Sequence, residues 1–182
     1  FSLPPGAGYT PVQAFPVGVT NVTVTVTDAS GNSSSCSYTT TILDDEAPNA
    51  VCQNITVFLD GAGNASIVAA DIDNGSTDNC STVTLAASTT AFTCADIGSN
   101  SVTLTVTDGS GNTATCASTV TVADTISPTI TCPTDVVVSN DPGVCSATGV
   151  VLGTPTTGDN CSVASVTDNG LVTYPVGVTN VI

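Results

Sequence analysis

Apolar and hydroxyl residues alternate strictly in two stretches of the chain. Val22, Val24 and Val26 are separated by Thr23 and Thr25, and Val102, Leu104 and Val106 by Thr103 and Thr105. A period of two puts β-branched apolar side chains on one face of a strand and hydroxyls on the other. Each stretch runs into turn chemistry, DASGN at 28–32 and DGSGN at 108–112, so each opens a hairpin. Between residues 45 and 125 the same reading predicts strands near 55–59, 64–70, 82–88, 91–95, 101–107 and 114–122. No segment supports a helix longer than a turn. Short strands punctuated by turns at this spacing predict an all-β fold of immunoglobulin-like β-sandwich type.

The pattern recurs at a fixed offset. TVTVTDASGNSSSC at 23–36 returns as TLTVTDGSGNTATC at 103–116, an offset of 116 − 36 = 80. Cys52 and Cys132 stand 132 − 52 = 80 apart, and TDNCS at 77–81 is echoed by GDNCS at 158–162. FPVGVTNV at 15–22 returns as YPVGVTNV at 174–181, so 174 − 15 = 159 spans two units. Such periodicity marks a tandem array. It divides the chain into the C-terminal part of one module (1–44), a complete module (45–125) and the N-terminal part of a third (126–182), a piece of a longer polymer. Pro48 and Pro128 stiffen the linkers at 44–48 and 124–128.

Composition narrows the function. The chain has no Lys, Arg or His and 15 acidic residues, for a net charge of −15. No ion pair can form between its side chains, and its field repels nucleic acid and anionic membrane alike. No apolar run reaches the roughly 20 residues of a membrane-spanning helix, so neither nucleic-acid binding nor membrane insertion is expected. Catalysis is disfavoured too. Without His or Lys a serine nucleophile lacks its ordinary base, cysteines held in disulfides leave no thiol for catalysis, and the carboxylates lie in Gly/Ser/Asn-rich turns rather than beside an aromatic cleft.

Eight cysteines without histidine read as a disulfide framework and an oxidising compartment. Cys36–Cys52 and Cys116–Cys132 are close in sequence, but about eight extended residues after Cys116 carry the chain roughly 26 Å away. Cys52, in the first strand, lies at the same end of the sandwich as Cys116, which starts the last. Cys52–Cys116 is therefore expected, closing a loop worth about 4 kcal/mol in the chain-entropy model. Cys80–Cys94 and Cys145–Cys161 follow by elimination, and Cys36 is left with a partner outside the segment.

DTISPTITCP, GDNCS, FPVGVTNVTVTVTDASGNSSSC and ADIDNGSTDNCS together resemble the hyalin-repeat (HYR) module, in the form found in giant surface adhesins of gliding and biofilm-forming Bacteroidetes. The complete module departs from it, carrying FTCADIGSN in place of the PVG phrase and no Cys near the start of its second strand. The resemblance implies an immunoglobulin-like fold, no enzymatic activity, and a structural or adhesive role in a long extracellular fibre at a bacterial cell surface. Its partners would be neighbouring modules of the same chain, other copies of the fibre, or surface polysaccharide. The alternative is a ligand-binding module whose loops grip a polysaccharide or a partner surface. Sugar sites usually show aromatic platforms, and aromatics are scarce here, which favours the structural role.

One cofactor is suggested by the residues themselves. Asp44, Asp45 and Glu46 lie in the linker, Asp71, Asp73, Asn74 and Asp78 in the loop ADIDNGSTDNC, and Asp108 at the hairpin turn. In an immunoglobulin-like sandwich these three segments meet at one end, and oxygen-rich flexible turns suit calcium. The competing reading is that Asp, Asn and Gly are there as turn formers. The third module keeps only Asp124 and Asp159 at the equivalent places, so any such site is expected at the 44–46 junction and weak or absent at the 124 junction.

Overall fold

The structure is a computed structural model and describes residues 14–182. The described residues are built from β-strands and two single-turn 3-10 segments.

The complete module is a two-layer sandwich. One layer is a four-stranded sheet in the order β3–β8–β7–β5, made of Ile55–Phe58 (β3), Thr84–Ala87 (β5), Gly98–Thr107 (β7) and Thr113–Ala123 (β8). The other is the pair Asn64–Ser66 (β4) and Ala91–Thr93 (β6). The long hairpin β7–β8 is the centre of the large sheet, with β5 antiparallel on one edge and β3 parallel on the other. The alternation has the consequence expected of it. Val102, Leu104 and Val106 on β7 and Val120 and Val122 on β8 are buried in one core cluster with Leu59, Ile67, Ile72 and Phe92. Each such side chain contributes about 1.5–3 kcal/mol of transfer free energy.

Two expected strands are shorter than the sequence suggests. The strand expected over 64–70 ends at Ser66 and is followed by a 3-10 turn at Ala69–Asp71. The one expected over 91–95 ends at Thr93, before a 3-10 turn at Cys94–Asp96. In both places an aspartate draws the chain out of the ladder. Asp71 accepts the Val68 N–H at 2.8 Å, and Asp96 accepts the Thr93 N–H at 2.8 Å. Short polar side chains offer the backbone such local alternatives to a sheet.

The β7–β8 turn is closed by Asp108, whose Oδ1 accepts the N–H groups of Ser110 (2.9 Å) and Asn112 (2.8 Å), with Gly111 at φ 94°. The first hairpin, Gly18–Thr27 (β1) with Ser33–Ile42 (β2), repeats this feature for feature. Asp28 accepts from Ser30 and Asn32, Gly31 has φ 90°, and Val24 pairs with Cys36 as Leu104 pairs with Cys116. What differs is cover: Val26 is 67% exposed where its counterpart Val106 is 0%.

Residues 126–182 form two small antiparallel pairs. Thr129–Thr131 (β9) pairs with Thr156–Gly158 (β11), and Ser146–Thr148 (β10) with Thr173–Pro175 (β12). Ala147 is the one buried apolar residue of this part.

Candidate functional site at the module junctions

Polar chemistry concentrates where one module meets the next. At the first junction the linker passes under the β7–β8 turn. Asn112 Nδ2 donates to the Asp44 carbonyl at 3.1 Å, and the Ser110 hydroxyl donates to the Asp44 carboxylate at 3.3 Å. The loop preceding β5 adds Asp78, whose Oδ2 accepts the Cys80 and Ser81 N–H groups at 2.9 and 2.8 Å. Carboxylate oxygens of Asp44, Asp78 and Asp108 consequently lie within 4.8 Å of one another, Asp108 being buried.

The remaining expected ligands lie outside this trio. Glu46 accepts from Asn79 Nδ2 at 2.6 Å. Asp45 is exposed in the linker. Asp71 caps the 3-10 turn, and Asp73 accepts the Gly75 and Ser76 N–H groups, both at 3.1 Å, and the Ser76 hydroxyl. Asn74 joins the loop to the first strand through its backbone, donating to the Val51 carbonyl at 2.8 Å. The loop ADIDNGSTDNC therefore holds itself together with its acids and commits only Asp78 to the junction.

Several carboxyls are set below the ordinary aspartate value of 3.8. The Ser76 hydroxyl is the main cause at Asp73. At Asp108 burial raises the value, but donation from Asn112, Ser110 and Gly111 outweighs it. Among the described residues nothing cationic faces the cluster, because the chain contains no basic side chain.

The second junction is covalent. Cys52 and Cys116 form the bridge that strand geometry favours, with Cα atoms 5.8 Å apart. The other bridge is Cys94–Cys161, Cα atoms 5.5 Å apart, and it joins the complete module to the next one. This corrects the pairings Cys80–Cys94 and Cys145–Cys161. Elimination assumed that every bridge stays inside a module. The Cys94 turn instead lies at the end of the module where the linker leaves, and the GDNC loop of the following module comes back to meet it. Gly63 makes room for that meeting, since a Cβ there would stand 2.8 Å from the Asn160 carbonyl oxygen. Asn160 Nδ2 then donates to the Asp60 carbonyl and to Asp124 Oδ1, both at 3.1 Å. Asp159 Oδ1 and Asn160 Oδ1 are buried with no hydrogen-bond donor.

Cys36, Cys80, Cys132 and Cys145 are free and exposed, so Cys80 and Cys145, both expected in bridges, are in none. Cys80 is not an activated nucleophile. Cys80 is pushed above its ordinary value by desolvation and then by the negative charge of Asp44, Asp78, Glu46 and Asp108, the reverse of what a reactive thiolate needs.

No spacing rule in the sequence signals the inter-module bridge. Its partners are 67 residues apart, and the usable clue was the appearance of Cys94 in the one module that lacks an equivalent of Cys145. Residues 6–42, which include the whole β1–β2 hairpin, match the HYR domain family model, which supports an HYR-type repeat over that segment.

Proposed function

We propose that the chain is a structural and adhesive repeat segment of a long extracellular fibre at a bacterial cell surface, whose modules are ordered end to end. The observation that carries this is the Cys94–Cys161 bridge between consecutive modules. Two modules joined only by a linker reorient freely by default. A second covalent tie beside the linker removes that freedom and suits a stalk. Surface chemistry favours the same reading over polysaccharide capture. The complete module has two aromatic residues, of which Phe92 is buried and Phe58 alone is 60% exposed, so no platform of paired rings exists there. The chain has no His or Lys to serve as the ordinary base for a nucleophile, which favours a non-enzymatic role.

Within this reading, calcium at the first junction is the counterpart of the disulfide at the second. Asp44 from the linker, Asp78 from the loop and Asp108 from the hairpin turn converge without a cation from the protein, and calcium takes six to eight such oxygens. A bound ion there would tie the linker to the module.

The test is shape. Electron microscopy and small-angle scattering of the oxidised chain should show one fixed angle between residues 45–125 and 126–182, and reduction should broaden it. Equal flexibility in both redox states would remove the support for a stalk.

A further inference from the structure

The strand pairs β4–β6 and β10–β12 are two versions of one element, and they differ in where a sulfur sits. Ala147 faces Tyr174 across the second pair as Ala65 faces Phe92 across the first. The shift is the same on both strands, 147 − 65 = 82 and 174 − 92 = 82. Two residues further back on one strand and on along the other, it sets Cys145 in the place of Gly63 and Val176 in the place of Cys94 (145 − 63 = 82, 176 − 94 = 82). Each version carries one cysteine, but on opposite strands.

Loop length explains the exchange. In the first turn the Gly63 N–H donates to the Asp60 carbonyl at 2.9 Å, and the positive φ falls on Gly63 itself, at +76°. The second turn has one residue more before its strand. There the Val144 N–H donates to the Asp141 carbonyl at 3.3 Å, and Gly143, following Pro142, takes the positive φ of +79°. No non-glycine residue described has a positive φ, Cys145 included. The shorter turn therefore demands glycine at position 63, and its sulfur comes from the facing strand as Cys94. The longer turn frees the position, and Cys145 occupies it.

What that position faces is visible in the complete module. A Cβ on Gly63 would stand 2.6 Å from Cys94 Sγ and 2.8 Å from the Asn160 carbonyl oxygen. A side chain there points at the Asp-Asn-Cys loop arriving from the next module and at the bridge it makes. Such loops are preformed. Asp159 Oδ2 accepts the Cys161 and Ser162 N–H groups at 3.1 and 3.0 Å, and Asp78 Oδ2 holds Cys80 and Ser81 in the same way.

We propose that Cys145, free and exposed, is the attachment point for the Asp-Asn-Cys loop of a further module, and forms with its cysteine the bridge that Cys94 forms with Cys161. A small disulfide such as oxidised glutathione is the oxidant. The Cys145 thiolate attacks it and releases one glutathione thiol, and the incoming cysteine attacks the Cys145 sulfur and releases the second. One protein S–S bond replaces the glutathione S–S bond, and two reduced glutathiones carry the hydrogens away. This inference stands apart from the fibre reading, because it rests on strand register and loop length.

The positional rule is tested in the chain itself. Gly61, Ala62 and Gly63 are replaced by Pro-Gly-Val-Cys, the sequence of residues 142–145, together with Cys94→Val. After refolding in glutathione buffer, non-reducing peptide maps should show Cys161 linked to the transplanted cysteine. The same loop ending in serine should leave Cys161 free, and recovery of Cys52–Cys116 verifies that the module has folded. A free Cys161 beside the transplanted cysteine in a folded module would overturn the proposal. The second measurement uses the protein isolated from the cells that make it, with free thiols blocked at lysis. Cys145 should be recovered in disulfide linkage to an Asp-Asn-Cys peptide. On non-reducing gels a partner module in the same chain leaves the mass of one chain, and a partner in a second copy doubles it. Cys145 recovered as a blocked thiol, or joined to a cysteine outside such a loop, would also overturn it.

Discussion

Gly63 and Cys94 lie so close that a Cβ on the glycine would stand 2.6 Å from the bridged sulfur. Gly63 also has φ +76°, a conformation that costs an L-residue about 1–2 kcal/mol. Gly63→Ala should therefore act at a distance from its own strand. It should lower the yield of the Cys94–Cys161 peptide in non-reducing maps of the refolded chain while leaving Cys52–Cys116 in place. Unchanged recovery of both peptides would show that the glycine is not what admits the neighbouring module.

Ser118 is the one fully buried hydroxyl in the sheet, 1% exposed, and it donates to the Gln53 carbonyl at 2.6 Å. It ties β8 to the segment leading into β3, next to the Cys52–Cys116 bridge. Ser118→Ala should cost about 1 kcal/mol, read as a lower midpoint in urea with an unchanged m-value. A cost near zero would mean that the bridge alone fixes the two segments.

Acid should weaken the fold through its capping aspartates. Asp60 is held low by the Asn64 and Ala62 N–H groups, and Asp73 by Ser76. A carboxyl whose folded value is depressed adds stability above its unfolded value, near 3.8 here, and loses it as the pH falls through the folded value. Melting temperature should be flat above about pH 5 and fall below about pH 4. Asp73→Asn, which keeps an acceptor for Ser76 but cannot titrate, should fall less steeply. Parallel acid limbs for the variant and the parent would exclude Asp73 as a contributor.

Calcium should raise the melting temperature of the full chain, and sodium at equal ionic strength should do so less. Asp78→Asn and Asp108→Asn should each remove the calcium-specific part, whereas Asp71→Asn should retain it, because Asp71 serves the 3-10 turn. Calorimetry showing no heat at millimolar calcium would end the idea.

Much of the fold was legible in advance because the signals are local. Val102, Leu104 and Val106 announce the buried face of β7 by alternation alone, and Asp108 announces its turn. The repeat then carried the alternation to Val26, which is exposed, and the turn to Asp28. The site was less legible, for two physical reasons. A carboxylate in a turn has the same letter whether it serves only its own loop, as at Asp71 and Asp73, or also converges with carboxylates from other segments, as at Asp44 and Asp78. Bridging depends on which module ends face each other, and the sequence marks that only by the appearance of Cys94 in a module without an equivalent of Cys145.

The two disulfides also interlock along the chain, because Cys94 lies between Cys52 and Cys116. Going from Cys52 to Cys161 along the backbone takes 161 − 52 = 109 residues. The covalent shortcut crosses from Cys52 to Cys116, runs the 116 − 94 = 22 residues back to Cys94, and crosses again to Cys161. A pull along the array is therefore carried by those 22 residues, a strap of about 75 Å when taut against about 370 Å for the unbridged chain. The strap consists of the length of β7, its turn and the start of β8. Everything else between Cys52 and Cys161 hangs outside the line of tension, so under load the segment yields by a short, fixed step and then holds until a sulfur–sulfur bond is cut.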